Sequence, residues 1–196
     1  DDNLNYYFLE MNTRLQVEHP ITERVVGVDL VKTQINIANN QTLDFKQEDL
    51  KQTGHAIEVR IYAEDPDNNF MPNPGKIEHM TEPLGLGVRH DGYVYTGYEI
   101  PIFYDPMISK LIVWAQTRQE AIDRLRRALH EYKITGIKTT IPFLSRILDV
   151  PDFINGKYNT HFVQDNEKLL RPNKKSSNRI KEMVAIASFI NHLENV

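Results

Sequence analysis

YYFLEMNTRLQVE, residues 6–18, is the stretch whose pattern decides how the chain is interpreted. From Leu9 onward polar and apolar residues alternate, with one threonine in the apolar row. A period of two is typical of an extended backbone, which sends alternate side chains to opposite faces. We therefore predict a strand over Tyr6–Met11 that continues as extended chain or loop to Pro20, with its apolar row buried. The polar row consists of Glu10, Asn12, Arg14, Gln16 and Glu18.

The polar row contains the groups that bind a metal ion and an anion. Glu10 and Asn12 present carboxylate and amide oxygens two residues apart, which suit a hard divalent cation. Arg14 offers a planar set of donors for carboxylate, carbonate or phosphate oxygens. Glu18 lies beyond it, where a carboxylate can act as a general base on a bound anion. Alternation by itself is more often the solvated face of an edge strand, so both interpretations stay open on the pattern alone.

A second alternating stretch, His55–Asp65, places Arg60 on a polar face. The apolar residues at positions 57, 59, 61 and 63 share one face of this predicted strand. The opposite face carries Glu58, Arg60, Tyr62 and Glu64. On the pattern alone, Arg60 is a surface arginine in a cross-strand ion pair.

Further short strands indicate an antiparallel sheet. They are predicted over Lys76–Met80, Gly87–Tyr95, Tyr98–Pro101, Lys110–Ala115 and Lys133–Gly136. Strands followed by helices are typical of an α+β fold, and the fold class predicted here is a mainly antiparallel sheet with flanking helices.

Three helices are predicted from apolar residues at helical spacing. The first is capped by Asp29 and stops at residues 39–40, and its apolar stripe is assigned to the core. The second begins with a capping box formed by Thr117 and Glu120, and its arginines at positions 124, 126 and 127 are assigned to a solvated face. The third is capped by Thr140 and runs to Leu148.

Composition excludes several classes of function. The chain has 196 residues, a hydrophobic fraction of 40% and a net charge of −4 at pH 7, so no basic field favours nucleic acid. The absence of cysteine excludes a disulfide framework and suits the cytoplasm. No run approaches the roughly 20 apolar residues of a membrane span, and no signal peptide opens the sequence. The seven histidines show no HxH or HxxxH spacing, so no zinc site is expected.

Several motifs together resemble those of one enzyme family. They are EMNTRLQVEHPITE (Glu10–Glu23), GHAIEVRIYAEDP (Gly54–Pro66), PNPGKI (Pro72–Ile77), YDPMISKLI (Tyr104–Ile112) and GIKTT (Gly136–Thr140). From Tyr6 to Gln164 the chain resembles the C-terminal part of the biotin carboxylases, the ATP-grasp components of acyl-CoA carboxylases and of pyruvate carboxylase. The first two motifs are long enough to separate this family from most other ATP-grasp enzymes.

The resemblance implies a role for the residues that would handle bicarbonate and biotin. Arg14, Gln16 and the backbone of Val17 would hold bicarbonate. Glu18 would remove the proton of bicarbonate as the catalytic base. Arg60 would contact bicarbonate and biotin, and would stabilise the negative charge that develops on the ureido oxygen of biotin.

The resemblance also implies a metal site and a dimer contact. Glu10 would bind ATP, and Glu10 together with Asn12 would hold Mg²⁺ or Mn²⁺ against the nucleotide phosphates. Leu86 and Arg89 would lie at the interface of a homodimer.

The function implied is the carboxylation of biotin with bicarbonate and MgATP, which is the first half-reaction of an acyl-CoA or pyruvate carboxylase. The implied partners are a biotin carboxyl carrier domain, which holds the biotin, a second copy of the chain and a carboxyltransferase subunit. The nucleotide-binding half of the family has no counterpart in this sequence, and the start at Asp1 resembles mid-protein sequence. We therefore expect the chain alone to turn over little or no ATP.

Two other functions fit the residues less closely. One is a non-catalytic dimerisation or interaction module, and the other is a different ATP-grasp ligase that uses bicarbonate. Within the biotin carboxylase interpretation the final acceptor stays open among acetyl-, propionyl- and methylcrotonyl-CoA and pyruvate.

The resemblance divides the chain into three parts. Residues 1–27 would end an ATP-grasp domain, and residues 28–166 would form the biotin carboxylase C-terminal domain. Residues 167–196 would comprise a linker and an amphipathic helix over 179–195, which docks on its own domain or on a partner.

Overall fold

The structure is a computed structural model that describes residues 5–172 together with 183, 184, 186 and 188. Those four isolated positions are helical. The predicted linker from residue 173 onward and the rest of the predicted helix over 179–195 lie outside the described residues.

Short strands and helices alternate along the described chain. The helices are α1 (His19–Val26), α2 (Leu30–Ala38), α3 (Arg118–Glu131), α4 (Ile141–Ile147), α5 (Pro151–Ile154), α6 (Phe162–Asp165) and α7 (Glu167–Leu170). The strands are β1 (His55–Tyr62), β2 (Glu64–Asp65), β3 (Met71–Pro72), β4 (Gly75–Lys76), β5 (His79–Thr81), β6 (Val88–Gly92), β7 (Glu99–Ile100), β8 (Met107–Ala115) and β9 (Lys133–Thr135). Single turns of 3₁₀ helix cover Gln47–Asp49 and Pro66–Asn68.

Every strand pairing in the described residues is antiparallel. The main sheet has the order β1-β8-β6, and the pairs β2-β3, β4-β7 and β5-β9 form small ribbons beside it. This arrangement confirms the predicted α+β fold with flanking helices. The predicted strand over Lys76–Met80 is divided into β4 and β5, because Ile77 between them turns inward, is fully buried and bonds to the carbonyl of Tyr98.

The main sheet has one apolar face and one polar face. On the apolar face Ile57 lies opposite Val113 and Ile61 lies opposite Ser109, in register. Helix α3 packs on this face through its predicted stripe, and Ile122 and Leu125 are completely buried there. Because strand side chains alternate, the other face receives the polar residues of the same strands, and α1 lies against that side.

Helix α3 begins as predicted. The Thr117 side chain accepts the backbone N–H of Glu120, and the Glu120 carboxylate accepts the N–H of Thr117. The arginines of the helix bind the chain's own oxygens: Arg124 donates to the Trp114 carbonyl, Arg126 to Leu148 and Asp149, and Arg127 to Leu84 and Glu131.

Two sequence predictions near the N-terminus are wrong. Residues 6–11 form no strand, and Leu9 and Met11 are 89% and 74% exposed. No described strand lies beside this segment, so its backbone lacks the neighbour that a sheet requires. Helix α2 forms with its predicted cap, since Asp29 accepts the N–H of Lys32. The assignment of its apolar stripe to the core is wrong. Ile35 on that stripe is 63% exposed, because no described element covers that face of the helix.

Candidate active site

The polar face of the main sheet carries charged residues in register across three strands. Arg60 on β1 lies opposite Lys110 on β8, and Lys110 lies opposite Asp91 on β6. Two residues away on the same face, Glu58 of β1 and Arg89 of β6 both lie opposite the buried Ile112 of β8, one on each side of it. We call this set of side chains the polar cluster: Glu58, Arg60, Arg89, Asp91 and Lys110.

The segment before α1 is fixed to the polar cluster at two points. The Glu18 carboxylate lies 3.1 Å from the Arg60 guanidinium, and the Val17 carbonyl accepts a hydrogen bond of 3.2 Å from Lys110 Nζ. The ring of His19 lies 2.7 Å from the Gln16 carbonyl, so this histidine contacts the chain locally. Together these contacts hold Gln16–Glu18 over the sheet and direct the Glu18 carboxylate at Arg60.

Arg60 is positioned from the end of β1. The predicted N-cap, Thr140, does not cap α4 with its side chain. Its buried hydroxyl instead accepts the N–H of Tyr62 at 3.0 Å and donates to the carbonyl of Arg60 at 3.4 Å. The Thr140 N–H also donates to the Tyr62 carbonyl. This end of β1 carries a register shift between Ile61 and Tyr62, so the hydroxyl supplies backbone partners where the ladder is irregular.

The electrostatics of the site keep Arg60 charged. The pKa of the Arg60 guanidinium is raised, first by its hydrogen bond with Tyr62 and then by the neighbouring carboxylates of Glu18 and Glu58. The pKa of Asp91 is lowered, because the effect of its hydrogen bond and charge interaction with Arg89 and of nearby Lys110 outweighs its desolvation. The site therefore combines fixed cations with carboxylates that hold them.

Glu58 differs from the other carboxylates of the polar cluster. Both of its side-chain oxygens are buried, and neither has a hydrogen-bond partner among the described residues. Burial raises the pKa of Glu58 to about 7, against the opposing effect of Lys110 and Arg60. A carboxyl with that pKa exchanges its proton near neutral pH.

Arg89 connects the polar cluster to helix α1. Its guanidinium binds Glu23 of α1 at 2.6 Å and Asp91 at 2.8 Å. Glu23 in turn accepts the N–H of Leu30, so one network joins β6, α1 and the start of α2. Leu86, the other residue predicted at a dimer interface, is 90% exposed, and its role there stays a prediction, as does that of Arg89.

The predicted site residues are only partly brought together. Arg14, Gln16 and Glu18 line one depression of about 310 Å³ beside α1, and Arg60 joins them through Glu18. Glu10 and Asn12 do not line it, because they lie on the exposed irregular segment before it. Their oxygen donors fit a hard cation. No group of three or more acidic or histidine side chains that could hold a metal occurs in the described part of the chain.

Sequence reasoning missed Lys110, Glu58 and Thr140 as members of this site. Lys110 is the single charged residue within a buried strand, flanked by residues that are themselves buried, and such a lysine is a signal in itself. Glu58 shares the face of Arg60 at a spacing of two, which the alternation already indicated. Thr140 had no signal, since its contact with β1 spans 80 residues.

Two family models match the sequence of the chain. The family described as the biotin carboxylase C-terminal domain matches residues 58–165, which is more than half of the chain and includes the whole polar cluster. The chain belongs to the biotin carboxylase family. A second family, the ATP-binding domain of the carbamoyl-phosphate synthase L chain, matches residues 1–46.

Two relatives show how much of a full-length protein the chain matches. A pyruvate carboxylase subunit of Methanothermobacter thermautotrophicus is 59% identical over 83% of this chain and 33% of its own length. Biotin carboxylase 1 of Bacillus subtilis is 54% identical over 81% of this chain and 35% of its own. The chain thus spans about a third of the length of these relatives.

A solved structure shares the fold. It is the biotin carboxylase domain dimer of the 2-oxoglutarate carboxylase of Hydrogenobacter thermophilus, in complex with MgADP, ADP and bicarbonate. The TM-score is 0.84 at 47% identity, over 88% of this chain and 38% of that one. Separately, no helix among the described residues of our chain has the length and apolar character needed to cross a membrane.

Proposed function

We propose that this chain forms the bicarbonate and biotin side of a biotin carboxylase active site, whose nucleotide side is built by the part of the relatives that this chain does not span. The observation that carries the proposal is the contact between Glu18 and Arg60 at 3.1 Å. Each residue lies in a motif of the family, and the fold brings the two motifs together. The function is then the carboxylation of biotin with bicarbonate and MgATP.

Glu18 acts as the base in this proposal. Bicarbonate bound by Arg14 and Gln16 loses its proton to the Glu18 carboxylate, and a carbonate oxygen then attacks the γ-phosphorus of ATP to give carboxyphosphate and ADP. The guanidinium of Arg60 lies 3.1 Å from the Glu18 carboxylate and holds this base in place. The Val17 backbone, held by Lys110, fixes the distance between base and anion.

Arg60 acts again when biotin is carboxylated. Carboxyphosphate would break down to CO₂ and phosphate, and the phosphate would take the proton from the ureido N1′, which places negative charge on the ureido oxygen of biotin. The Arg60 guanidinium is bound to Glu18 and Tyr62, and Thr140 holds the backbone of Arg60, so the guanidinium stabilises that charge without reorganising. The nitrogen then forms its new bond to the carbon released as CO₂ from carboxyphosphate.

Glu10 and Asn12 would hold Mg²⁺ or Mn²⁺ in this scheme. Their carboxylate and amide oxygens suit such a cation, which would neutralise phosphate charge when bound. Two ligands do not complete a coordination shell, so the remaining oxygens would come from the nucleotide and from the nucleotide side of the site.

The division of the chain follows from the same proposal. Residues 1–27 close an ATP-grasp domain, residues 28–166 form the C-terminal domain, and residues 167–196 comprise a linker and an amphipathic helix. The exposed apolar side chains of the N-terminal segment and of α2 support a further neighbour there, since Tyr6, Leu9 and Ile35 are 96%, 89% and 63% exposed.

The partners follow from the chemistry. Biotin would reach the site on a separate carrier domain, a carboxyltransferase subunit would use the product, and Leu86 and Arg89 would lie at a homodimer interface. The cytoplasmic location favoured by the sequence stays a prediction.

The test is complementation with the nucleotide-binding part. The N-terminal part of Bacillus subtilis biotin carboxylase 1 is joined to this chain where the two sequences align, and ADP release is measured with and without bicarbonate and free biotin. We expect ADP release that depends on both, and little or none from the 196-residue chain alone. A folded, ATP-binding chimera whose ADP release ignores bicarbonate and biotin would refute the proposal.

A further inference from the structure

Glu58 is a buried carboxylate of the polar cluster to which the proposed reaction assigns no step. It lies two residues before Arg60 on the same face of β1, opposite the buried Ile112 of β8. Both carboxylate oxygens are buried and receive no hydrogen bond in the part of the chain that the structure describes. An ionised carboxylate in such a place costs free energy unless a cation compensates it.

The cations that face Glu58 are already engaged by other groups. On its own strand, Arg60 binds Glu18, which precedes α1. On β8, Lys110 binds the Val17 carbonyl and lies 3.7 Å from Asp91.

Three further titratable groups, His55, Arg118 of α3 and Tyr158, line one cavity with Glu58, and others come from two elements packed on this face. On β6, Arg89 binds Asp91, and from α1 Glu23 binds the same guanidinium. His19, at the start of α1, contacts the Gln16 carbonyl. Glu58 is therefore the carboxylate of the polar cluster that competes for cations held by others.

We propose that Glu58 is a positioning residue that sets the net charge of the bicarbonate site and thereby its affinity for the anion. When Glu58 is protonated, the positive charges of Arg60 and Lys110 act on Glu18 and on the bound anion. When Glu58 is ionised, it attracts the same two cations and adds a negative charge to the site that binds bicarbonate. The inference rests on the proposed function, because it concerns the anion of that reaction.

The direction of the pH effect follows from the burial of the group. Burial raises the pKa of Glu58 to about 7, so the protonated form prevails below neutrality and the ionised form above it. The affinity for bicarbonate therefore falls as the pH rises through 7. Glu58 interacts electrostatically with Arg60, Lys110 and Glu18, and one added charge acting through such groups in a partly buried site changes anion binding by about five- to tenfold.

The experiment compares pH profiles in the active chimera. KM for bicarbonate, corrected for the fraction of the anion present at each pH, and kcat are measured from about pH 6.5 to 8.5, which spans the midpoint expected for a carboxyl of raised pKa. We expect KM of the parent to rise about five- to tenfold over this range. In Glu58→Gln the KM stays low and flat, and kcat changes less than KM does. Glu58→Asp keeps a titrating carboxyl and restores the pH dependence.

Matched variants isolate the effect. Glu99→Gln removes the same charge from an exposed position on β7 and leaves the profile of the parent. If Glu58→Gln does not fold, Glu58→Met fills the same space without an ionisable group and is expected to give the same flat profile. A parent-like rise of KM with pH in a folded Glu58→Gln or Glu58→Met protein would overturn the inference.

A second measurement is independent of activity. In the 196-residue chain with ¹³C-labelled glutamate side chains, one carboxyl resonance is expected to titrate with a midpoint near 7 and to disappear in Glu58→Gln. If every glutamate titrates below about 5, the inference fails even in an active enzyme. If the chimera is inactive while this resonance titrates near 7, the proposed function fails, but the conclusion that Glu58 titrates near neutral pH is retained.

Discussion

The carboxylate of Glu18 lies 3.1 Å from the guanidinium of Arg60, although 42 residues separate them in the sequence. The side chains are 53% and 41% exposed, and an ion pair so accessible contributes at most about 1 kcal/mol to folding. Its importance is therefore positional: β1 supplies the guanidinium, the turn before α1 supplies the carboxylate, and Lys110 fixes that turn to the sheet.

Removing either partner is expected to affect chemistry far more than stability. In the active chimera, Glu18→Gln should lower bicarbonate-dependent ADP release about 10²- to 10⁴-fold, the usual contribution of a general base. Arg60→Ala should lower biotin carboxylation about 10²- to 10³-fold, because the charge on the ureido oxygen loses its donor. Both rates are measured by coupled ADP assay and by ¹⁴C-bicarbonate fixation.

The chain contains a matched control for this pair. Arg127 and Glu131 on α3 form a similar exposed ion pair, at 2.7 Å with 44% and 42% exposure, far from the polar cluster in the sequence and on the other side of the sheet. Arg127→Ala and Glu131→Gln should leave the rates unchanged. Rates for Glu18→Gln and Arg60→Ala that match these controls would remove both residues from the catalytic machinery.

Thr140 is expected to hold Arg60 through the backbone. In Thr140→Val the shape is kept and the hydroxyl is lost, so the Tyr62 N–H and the Arg60 carbonyl each lose a buried partner, at a cost of about 1–3 kcal/mol. Urea denaturation measures the free energy of unfolding, and kcat of the chimera should fall with it. Thr140→Ser retains the hydroxyl and should retain both; a stable, fully active Thr140→Val protein would contradict this role.

The sequence predicted the elements of this site better than their surroundings. The capping box of α3 is confirmed because it is satisfied within three residues, and the alternation of β1 is confirmed because the distant strand β8 pairs with it. The segment Tyr6–Met11 alternates equally well yet forms no strand, since a strand also needs a neighbour to pair with. The same holds for the stripe of α2, which has the pattern of a core helix without a core beside it.

The site itself could be predicted only as far as its motifs reached. Nothing local indicated that Lys110 would bind the Val17 carbonyl across 93 residues, or that Thr140 would bond to β1 instead of capping α4. Such contacts depend on how the elements pack, and a one-dimensional pattern carries no information about that. The lack of hydrogen-bond partners for the carboxylate oxygens of Glu58 could not be predicted either, because it results from burial under α1 and not from the alternation of β1.

A buried hydroxyl chain beneath the sheet is expected to make stability depend on pH. The ring of His90 lies 2.8 Å from the Tyr132 hydroxyl, which lies 2.9 Å from the Ser109 hydroxyl. Burial lowers the pKa of His90, so the unfolded chain takes up a proton more readily than the folded one. Stability is then complete above the unfolded pKa of about 6.5 and is lost as the pH falls below it.

Thermal unfolding of the chain between about pH 5 and 8 measures this effect. His90→Gln removes the titrating group and should flatten the decline in Tm below about pH 6.5 relative to the parent. Tyr132→Phe removes the shared partner and should cost about 1 kcal/mol near neutral pH, where His90 is neutral. An identical acid decline in His90→Gln and in the parent would assign the pH dependence to other groups.

Glu58 should affect stability in the opposite direction. Its pKa is raised to about 7 in the fold, above that of the unfolded chain, so its contribution is present at low pH and is lost as the pH rises through 7. Glu58→Gln should therefore raise the Tm relative to the parent at about pH 8 and change it less at about pH 5. A parallel shift at both pH values would show that the carboxyl ionises freely in the fold.

Leu86 and Arg89 separate dimerisation from folding. Leu86 is 90% exposed on the chain leading into β6, whereas Arg89 binds Glu23, whose side chain is 10% exposed. Burying a leucine at an interface contributes about 1.5–3 kcal/mol, so Leu86→Glu should weaken a dimer of the chimera at least about tenfold without changing its Tm at low concentration. Sedimentation equilibrium measures the dissociation constant.

Arg89 is proposed for the same interface, but Arg89→Ala should also destabilise the fold, because it leaves the nearly buried Glu23 carboxylate without its cation. The expected loss is about 2–4 kcal/mol in the free energy of unfolding of the chain, of which Arg89→Lys recovers only part, since lysine cannot bind Glu23 and Asp91 together as the guanidinium does. If Leu86→Glu left the dimer intact while Arg89→Ala dissociated it without loss of stability, the interface would lie on the sheet side of β6 and the role assigned to Leu86 would be wrong.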